Sequence, residues 1–125
     1  GALADELNRD VRFVPDCVGA GAERWTRSLP EGGVALLENL RFHAEEEEDD
    51  RSFALLLSVH GDLYVNDAPA SSIRRHASIH AIVPLMRAYA GPQLSAHVAN
   101  LGEVEAAELP GVAALMSKTK ISEKI

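Results

Sequence analysis

Val34-Ala35-Leu36-Leu37 is an uninterrupted apolar run that directly follows the turn residues Pro30-Glu31-Gly32-Gly33. A strand that faces water on one side alternates apolar and polar residues, whereas a strand covered by helices on both faces is continuously apolar. The run therefore predicts a buried strand of a parallel sheet, and parallel sheets with helices on both faces define the α/β class.

The segments around this strand predict alternating helices and strands. Before it, the sequence predicts a helix end, a short strand over 11–14 and a helix over 20–29. After it, the sequence predicts a helix capped by Asp50 and ended by Gly61, with Phe53, Leu56 and Leu57 on one face. Further elements are predicted at 63–65 (strand), 91–108 (helix) and 112–116 (strand).

A recurring strand, helix, strand order favours right-handed parallel crossovers. We therefore predict a parallel three-layer Rossmann-like sheet that is incomplete, because about four strands leave strand 34–37 without enough neighbours. Uncovered apolar edges of such a sheet make self-association a further possibility.

The composition fits one globular domain and limits the classes of partner. Of the 125 residues, 46% are hydrophobic and 25% are charged, and 12 basic against 19 acidic residues give a net charge of −7. Such a charge opposes nonspecific binding to nucleic acid or anionic membranes. No apolar run approaches the ~20 residues of a membrane span, and no targeting segment is evident. Cys17, the single cysteine, cannot form an intrachain disulfide, so we expect a reducing, cytoplasmic location.

Two arginines follow predicted strands at the edge where α/β sheets bind ligands. Arg41 lies in the loop after Leu37, and Arg74 lies in the loop after Val65. Ligands of open α/β sheets bind beyond the carboxyl ends of the strands, and guanidinium groups bind phosphate or carboxylate through two parallel hydrogen bonds. A solvated surface arginine is the alternative, and for each residue taken alone it is the commoner one.

The same loops carry motifs of a known family. Leu36-Leu37-Glu38-Asn39-Leu40-Arg41-Phe42-His43 with Glu45-Glu46-Glu47, and Tyr64-Val65-Asn66-Asp67-Ala68 with Arg74 and His76, resemble two successive signatures of phosphoglycerate kinase. Lys120-Ile121-Ser122-Glu123-Lys124-Ile125 resembles a third, and Asp16-Cys17-Val18-Gly19 precedes the first at the matching place.

The resemblance implies a two-domain enzyme that transfers a phosphoryl group between 1,3-bisphosphoglycerate and ADP, giving 3-phosphoglycerate and ATP in glycolysis, with Mg²⁺. It assigns Arg41 and Arg74 to 3-phosphoglycerate, Lys120 to the transferred phosphoryl group as the catalytic lysine, and Lys124 to the nucleotide phosphates. The metal-binding aspartate of the family has no counterpart in this chain. The parent enzyme is expected to be monomeric, without nucleic-acid or membrane partners.

The resemblance also predicts the domain organisation. Residues 1–90 correspond to part of the substrate-binding amino-terminal domain, 91–110 to the interdomain helix, and 111–125 to the first strand and lysine-rich loop of the nucleotide domain. Because most of the nucleotide domain has no counterpart, we expect the chain alone to be inactive.

Several residues depart from the family pattern. Pro69 and Ala70 replace Phe and Gly or Ser, Ile73 replaces the histidine before the substrate arginine, and Ser117-Lys118-Thr119 replaces Gly-Gly-Ala. These departures leave three readings open: a fragment or degenerate relative of the enzyme, a noncatalytic phosphate-metabolite binding or interaction module, and a structural remnant.

The remaining polar clusters are interpreted as structural. The six acids of 45–50 predict a solvated helix start rather than a metal site. His76 and His80 have a zinc-like spacing but no third ligand in pattern, so structural histidines are favoured. Gly19-Ala20-Gly21 is too incomplete for a phosphate loop, and Asp67 is expected to orient its loop by hydrogen bonds rather than to act as an acid or base.

Overall fold

Residues 1–101 are described in the computed structural model, and they alternate between helices and short strands. The chain divides into two compact units, Gly1–Phe42 and a second unit that begins at His43. The predicted strand at 112–116 and the end of the predicted helix at 91–108 lie outside the described residues. Among the described residues, no helix is long and apolar enough to cross a membrane.

The first unit is built around two parallel strands, as predicted. It contains α1 (Ala2–Leu7), β1 (Val11–Val14), α2 (Gly19–Arg27), β2 (Val34–Leu37) and a 3₁₀ turn (Leu40–Phe42). β1 and β2 pair in parallel, with Val11 opposite Val34 and Val14 opposite Leu37. The predicted parallel strand at 34–37 is therefore confirmed, and so is the helix that connects it to the preceding strand.

A tight turn between α2 and β2 explains the glycine pair. Gly32 has a φ of 73°, which glycine adopts without strain, and the Gly33 N–H donates to the Pro30 carbonyl at 2.8 Å. A Cβ on Gly33 would lie 2.8 Å from that same carbonyl oxygen. The turn therefore requires glycine at both positions, and it brings the chain directly into β2.

The second unit contains a second strand pair together with several short helices. Its elements are α3 (Ala44–Glu47), α4 (Arg51–Ser58), β3 (Leu63–Asn66), a π-helix (Ala77–Ala81), a 3₁₀ turn (Val83–Leu85), β4 (Arg87–Ala90) and α5 (Pro92–Leu101). β3 and β4 pair in parallel, with Leu63 opposite Arg87 and Asn66 opposite Ala90. The α/β class with short parallel strands is confirmed, and the sheets are small and incomplete.

α4 supplies the core of the second unit, with one change from the predicted face. The Asp50 side chain accepts the Phe53 N–H at 2.7 Å, which confirms the predicted N-cap. Phe53 and Leu57 are buried, but Leu56 is 45% exposed, and Ala54 is buried instead. α4 packs against the π-helix and the 3₁₀ turn, where Ile79, Ile82 and Val83 are buried.

One prediction about the sheets is wrong, and one strand was not predicted. β2 was expected to be covered on both faces, but Leu36 is 47% exposed, and its neighbour Phe13 on β1 is exposed as well. β4 was not predicted, because Arg87-Ala88-Tyr89-Ala90 contains two alanines and no β-branched residue. It forms a strand because it pairs with β3 and buries Ala88.

Candidate functional site

Arg41 lies in a short turn that begins where β2 ends. The Glu38 N–H donates to the Val14 carbonyl at 3.0 Å, which continues the ladder between β1 and β2 by one residue. The Asn39 side-chain oxygen then accepts the Arg41 N–H at 3.0 Å, and the Asn39 carbonyl accepts the Phe42 N–H at 3.1 Å. Asn39 thus forms an Asx turn that directs the chain into the 3₁₀ turn carrying Arg41.

The Arg41 guanidinium is available to a ligand. Its side chain is exposed and makes no hydrogen bond or ion pair with the described residues. By contrast, the Arg12 guanidinium lies 4.7 Å from the centre of the Trp25 ring, and Arg27 pairs with Glu23 at 3.4 Å. The Arg41 guanidinium therefore keeps its hydrogen-bond donors available at the carboxyl end of a parallel strand.

A closed polar turn follows β3. The Asn66 amide nitrogen donates to the Ser72 hydroxyl at 2.8 Å, and that hydroxyl donates to the Ala68 carbonyl at 2.9 Å. The Asn66 amide oxygen accepts the Ala68 N–H at 3.0 Å. Asn66 and Ser72 are both buried, and their side-chain polar groups find hydrogen-bond partners within this turn, residues 66–72.

Arg74 follows this turn and resembles Arg41 in its surroundings. Its backbone N–H donates to the Ser71 carbonyl at 3.1 Å, and its side chain is exposed without a hydrogen bond or ion pair to the described residues. Pro69 is accommodated in the turn, and its carbonyl accepts the Ser72 N–H at 3.2 Å. Ile73, the other departure near this arginine, is exposed.

Asp67 caps the helix that follows β4. Its Oδ1 accepts the N–H groups of Gln93 at 2.7 Å and of Leu94 at 3.0 Å, in the first turn of α5. Asp67 therefore acts through hydrogen bonds, as predicted, but its partners lie at the start of α5 rather than within its own loop. A carboxylate at this position is also favoured by the helix dipole.

The sequence predicted that the acidic run, residues 45–50, is a solvated helix start, and this is only partly correct. Glu46 is 3% exposed, and its carboxylate accepts the Ser78 N–H at 3.0 Å and the Ser78 hydroxyl at 2.5 Å. Asp49 accepts the Ala81 N–H at 3.0 Å. Two acids of the run therefore hold the π-helix, whereas the exposed Glu45, Glu47 and Glu48 fit the prediction.

His76 and His80 take part in the same anchoring contacts. His76 Nδ1 lies 3.8 Å from a Glu46 carboxylate oxygen, and His80 Nδ1 lies 2.7 Å from Asp49 Oδ2. Each histidine thus faces a carboxylate of the acidic run. These contacts support the structural interpretation of both histidines.

Tyr64 also contacts the π-helix, and the sequence did not predict this contact. Its hydroxyl donates to the Ser78 carbonyl at 2.6 Å. Burial, and secondarily the charge of Glu46, raise the pKa of Tyr64 far above the ordinary value for tyrosine. A tyrosine in a strand has no local signal for such a contact, because its partner lies 14 residues further along the chain.

The comparisons with known proteins agree with the motifs. The family model for phosphoglycerate kinase matches residues 1–125. The chain belongs to the phosphoglycerate kinase family.

Individual relatives give the extent of the similarity. The phosphoglycerate kinase of Bartonella quintana (strain Toulouse) is 44% identical over 119 residues, which are 95% of this chain and 30% of that protein. The enzyme of Methylobacterium radiotolerans is 42% identical over 125 residues, 99% of this chain and 31% of that protein. The crystal structure of phosphoglycerate kinase from Pyrococcus horikoshii OT3 matches with a TM-score of 0.74 at 28% identity, covering 84% of this chain and 29% of that one.

The chain thus spans less than a third of the length of these phosphoglycerate kinases. The nucleotide-side residues named from the motifs, Lys120 and Lys124, lie outside the described residues, as does the Ser117-Lys118-Thr119 departure. Their roles therefore remain predictions from the family motif. Arg41 and Arg74 lie within the described residues, each in a separate unit.

Proposed function

We propose that this chain supplies the 3-phosphoglycerate side of a phosphoglycerate kinase. The complete enzyme would transfer a phosphoryl group from 1,3-bisphosphoglycerate to ADP, giving 3-phosphoglycerate and ATP in glycolysis. The observation that carries the proposal is the exposure of Arg41 and Arg74, which follow parallel strands in the motifs of the family and whose guanidiniums pair with none of the described residues. The cytoplasmic location expected from the cysteine content stays a prediction.

The chemistry required of these residues is positioning and charge neutralisation. Phosphoryl transfer asks for little covalent chemistry from the protein, so arginines that hold the phosphate and carboxylate of the substrate contribute by fixing its geometry. Lys120 is proposed to neutralise charge on the transferred group, and Lys124 to contact the nucleotide phosphates. Both roles rest on the family motif.

Mg²⁺ with ATP or ADP is the cofactor that the family implies. Of the acidic run, Glu46 and Asp49 are already engaged by Ser78, Ala81 and His80, so these two carboxylates do not fit a magnesium site. We place the metal ligand and most of the nucleotide site in parts of the enzyme without a counterpart here. The isolated chain is therefore expected to show no turnover in a coupled ATP assay, and arginine-dependent turnover would contradict this.

Titration of the purified chain with 3-phosphoglycerate tests the substrate side. Saturable binding that is lost in Arg41→Ala supports the proposal. Arg24→Ala is the matched control, because Arg24 is also an exposed arginine of the first unit that pairs with none of the described residues, but it lies in the last turn of α2 and not in a loop after a strand. Equal weakening by both variants would indicate nonspecific attraction to positive charge.

A noncatalytic phosphate-metabolite binding module is the second candidate. Pro69, Ile73 and Ser117-Lys118-Thr119 favour it, because they alter loops that the family uses for substrate and nucleotide. Arg41-dependent binding of 3-phosphoglycerate by a longer natural chain that has the nucleotide domain but no kinase activity would favour this candidate. Absence of binding at millimolar ligand would favour a structural remnant.

A further inference from the structure

Two arginines stand side by side after the turn 66–72, and their side chains have different surroundings. Arg75 reaches Asp49, with Nε and a terminal nitrogen each 3.3 Å from Asp49 Oδ2. Arg74 has no hydrogen bond or ion pair with the described residues. Of these two consecutive arginines, Arg75 is therefore bound to Asp49, and Arg74 is available to a ligand.

Asp49 is itself held firmly by other groups. Its φ of 55° lies in the left-handed region, which aspartate and asparagine tolerate better than most residues. Oδ1 accepts the Ala81 N–H at 3.0 Å, and Oδ2 lies 2.7 Å from His80 Nδ1. Because an ionised carboxylate only accepts, His80 Nδ1 carries the hydrogen, and the 3.4 Å approach of Arg75 to that nitrogen is not a hydrogen bond.

Because the Asp49 side chain is already fixed, its ion pair with Arg75 should be stronger than an ordinary surface ion pair. Exposed ion pairs usually contribute little, because two flexible side chains must both be ordered. The Asp49 side chain is only 16% exposed and is already fixed by Ala81 and His80, so Arg75, which is 62% exposed, is the only member left to order. The carboxylate therefore acts as a preformed acceptor for Arg75.

We propose that Asp49 is a positioning residue that divides the arginine pair. Asp49 holds Arg75 against the acidic run, residues 45–50, by an ion pair, and it leaves Arg74 as the guanidinium that binds a phosphate-bearing anion. Two free neighbouring guanidiniums would offer an anion two competing positions, whereas one retained arginine leaves a single position. The identity of the anion rests on the proposed function, but the engagement of Arg75 does not.

Arginine modification with phenylglyoxal, mapped by mass spectrometry on the full chain, tests this division. In the unsubstituted chain, Arg75 should react about fivefold more slowly than Arg74, as expected for an ion pair at the upper end of the range for surface pairs. Asp49→Asn removes the charge and tolerates the left-handed backbone, so it should bring the two rates together. Glu48→Ala is the matched control, because Glu48 is an exposed neighbouring acid whose side chain pairs with no residue of 1–101, and it should leave the ratio unchanged.

Equal modification rates of Arg74 and Arg75 in the unsubstituted chain would overturn the proposal. An unchanged ratio of these two rates in Asp49→Asn would overturn it as well. Addition of 3-phosphoglycerate separates the two levels of inference. It should slow modification of Arg74 but not of Arg75, and in Asp49→Asn the protection should be shared by both arginines. If 3-phosphoglycerate protects neither residue, the proposed function fails, while the ratio without ligand still decides the role of Asp49.

Discussion

The carboxylate of Glu46 and the hydroxyl of Ser78 lie 2.5 Å apart, and the same carboxylate accepts the Ser78 backbone N–H at 3.0 Å. Glu46 belongs to α3, and Ser78 lies in the π-helix four residues after Arg74. This pair therefore connects the acidic run to the π-helix that follows Arg74, the candidate phosphate-binding arginine. Its strength should be measurable as stability of the second unit.

Glu46→Ala should destabilise the chain by about 2–4 kcal/mol, because it leaves two donors of Ser78 and the facing His76 without their buried acceptor. Glu46→Gln keeps the shape and one acceptor, so a smaller loss of about 1–2 kcal/mol is expected. Urea unfolding followed by far-ultraviolet circular dichroism measures the difference.

Glu47→Ala provides the control, since Glu47 is an exposed residue of the same helix whose side chain has no partner in the part of the chain that the structure describes. Its effect should stay within about 0.5 kcal/mol, as for most surface substitutions. Similar losses for Glu46→Ala and Glu47→Ala would contradict the role assigned to the buried carboxylate.

Local patterns in the sequence were enough to predict most elements of the fold. The continuous run 34–37, the Asp50 cap and the glycine turn before β2 each act over a few residues, so they can be recognised without a structure. β4 could not be predicted, because Arg87-Ala88-Tyr89-Ala90 has a weak strand pattern and depends on pairing with β3.

The positions of Arg41 and Arg74 in loops after strands were predictable to a similar extent. The loops that carry Arg41 and Arg74 follow from the rule on strand ends and from the motifs. The burial of Glu46 could not be read from the sequence, because six consecutive acids give no sign of which one turns inward. Its partner Ser78 lies 32 residues away, so the contact depends on how the chain folds back.

Asp67→Ala should weaken the start of α5. The carboxylate satisfies the N–H groups of Gln93 and Leu94, and loss of such a cap costs about 0.5–2 kcal/mol. Hydrogen exchange at these two amides should become faster, whereas Asp67→Asn, which keeps an acceptor, should change it less. Asp62→Ala serves as the control, because Asp62 is an exposed acid that pairs with none of residues 1–101. Slower or unchanged exchange in Asp67→Ala would exclude the capping role.

Gly91→Ala should be destabilising for a steric reason at the same place. A Cβ on Gly91 would lie 2.4 Å from Asp67 Cγ, so the cap must move for the methyl group to fit. We expect a loss of about 1–3 kcal/mol, the usual range for overpacking. Gly61→Ala is the matched control, because its Cβ would meet only the Leu63 carbonyl at 3.6 Å. Equal midpoints of urea unfolding for the two variants would contradict the predicted clash.

Tyr64 predicts how stability changes at high pH. Its pKa is raised by burial and by the charge of Glu46, so the folded chain holds the phenolic proton at a pH where the unfolded chain, with a tyrosine pKa near 10, releases it. Stability from this group is therefore complete below about pH 10 and is lost as the pH rises above that value. Ultraviolet absorbance should show ionisation of one of the two tyrosines only at strongly alkaline pH, with unfolding, and Tyr64→Phe should remove this delayed part.

The Tyr64→Phe variant should also lose about 0.5–1.5 kcal/mol of stability at neutral pH, because the Ser78 carbonyl loses its donor. Tyr89→Phe should leave the delayed ionisation in place, because Tyr89 is exposed and its hydroxyl has no hydrogen-bond partner among the described residues. Loss of the delayed part in Tyr89→Phe instead would show that the buried, hydrogen-bonded phenol had been assigned to the wrong residue.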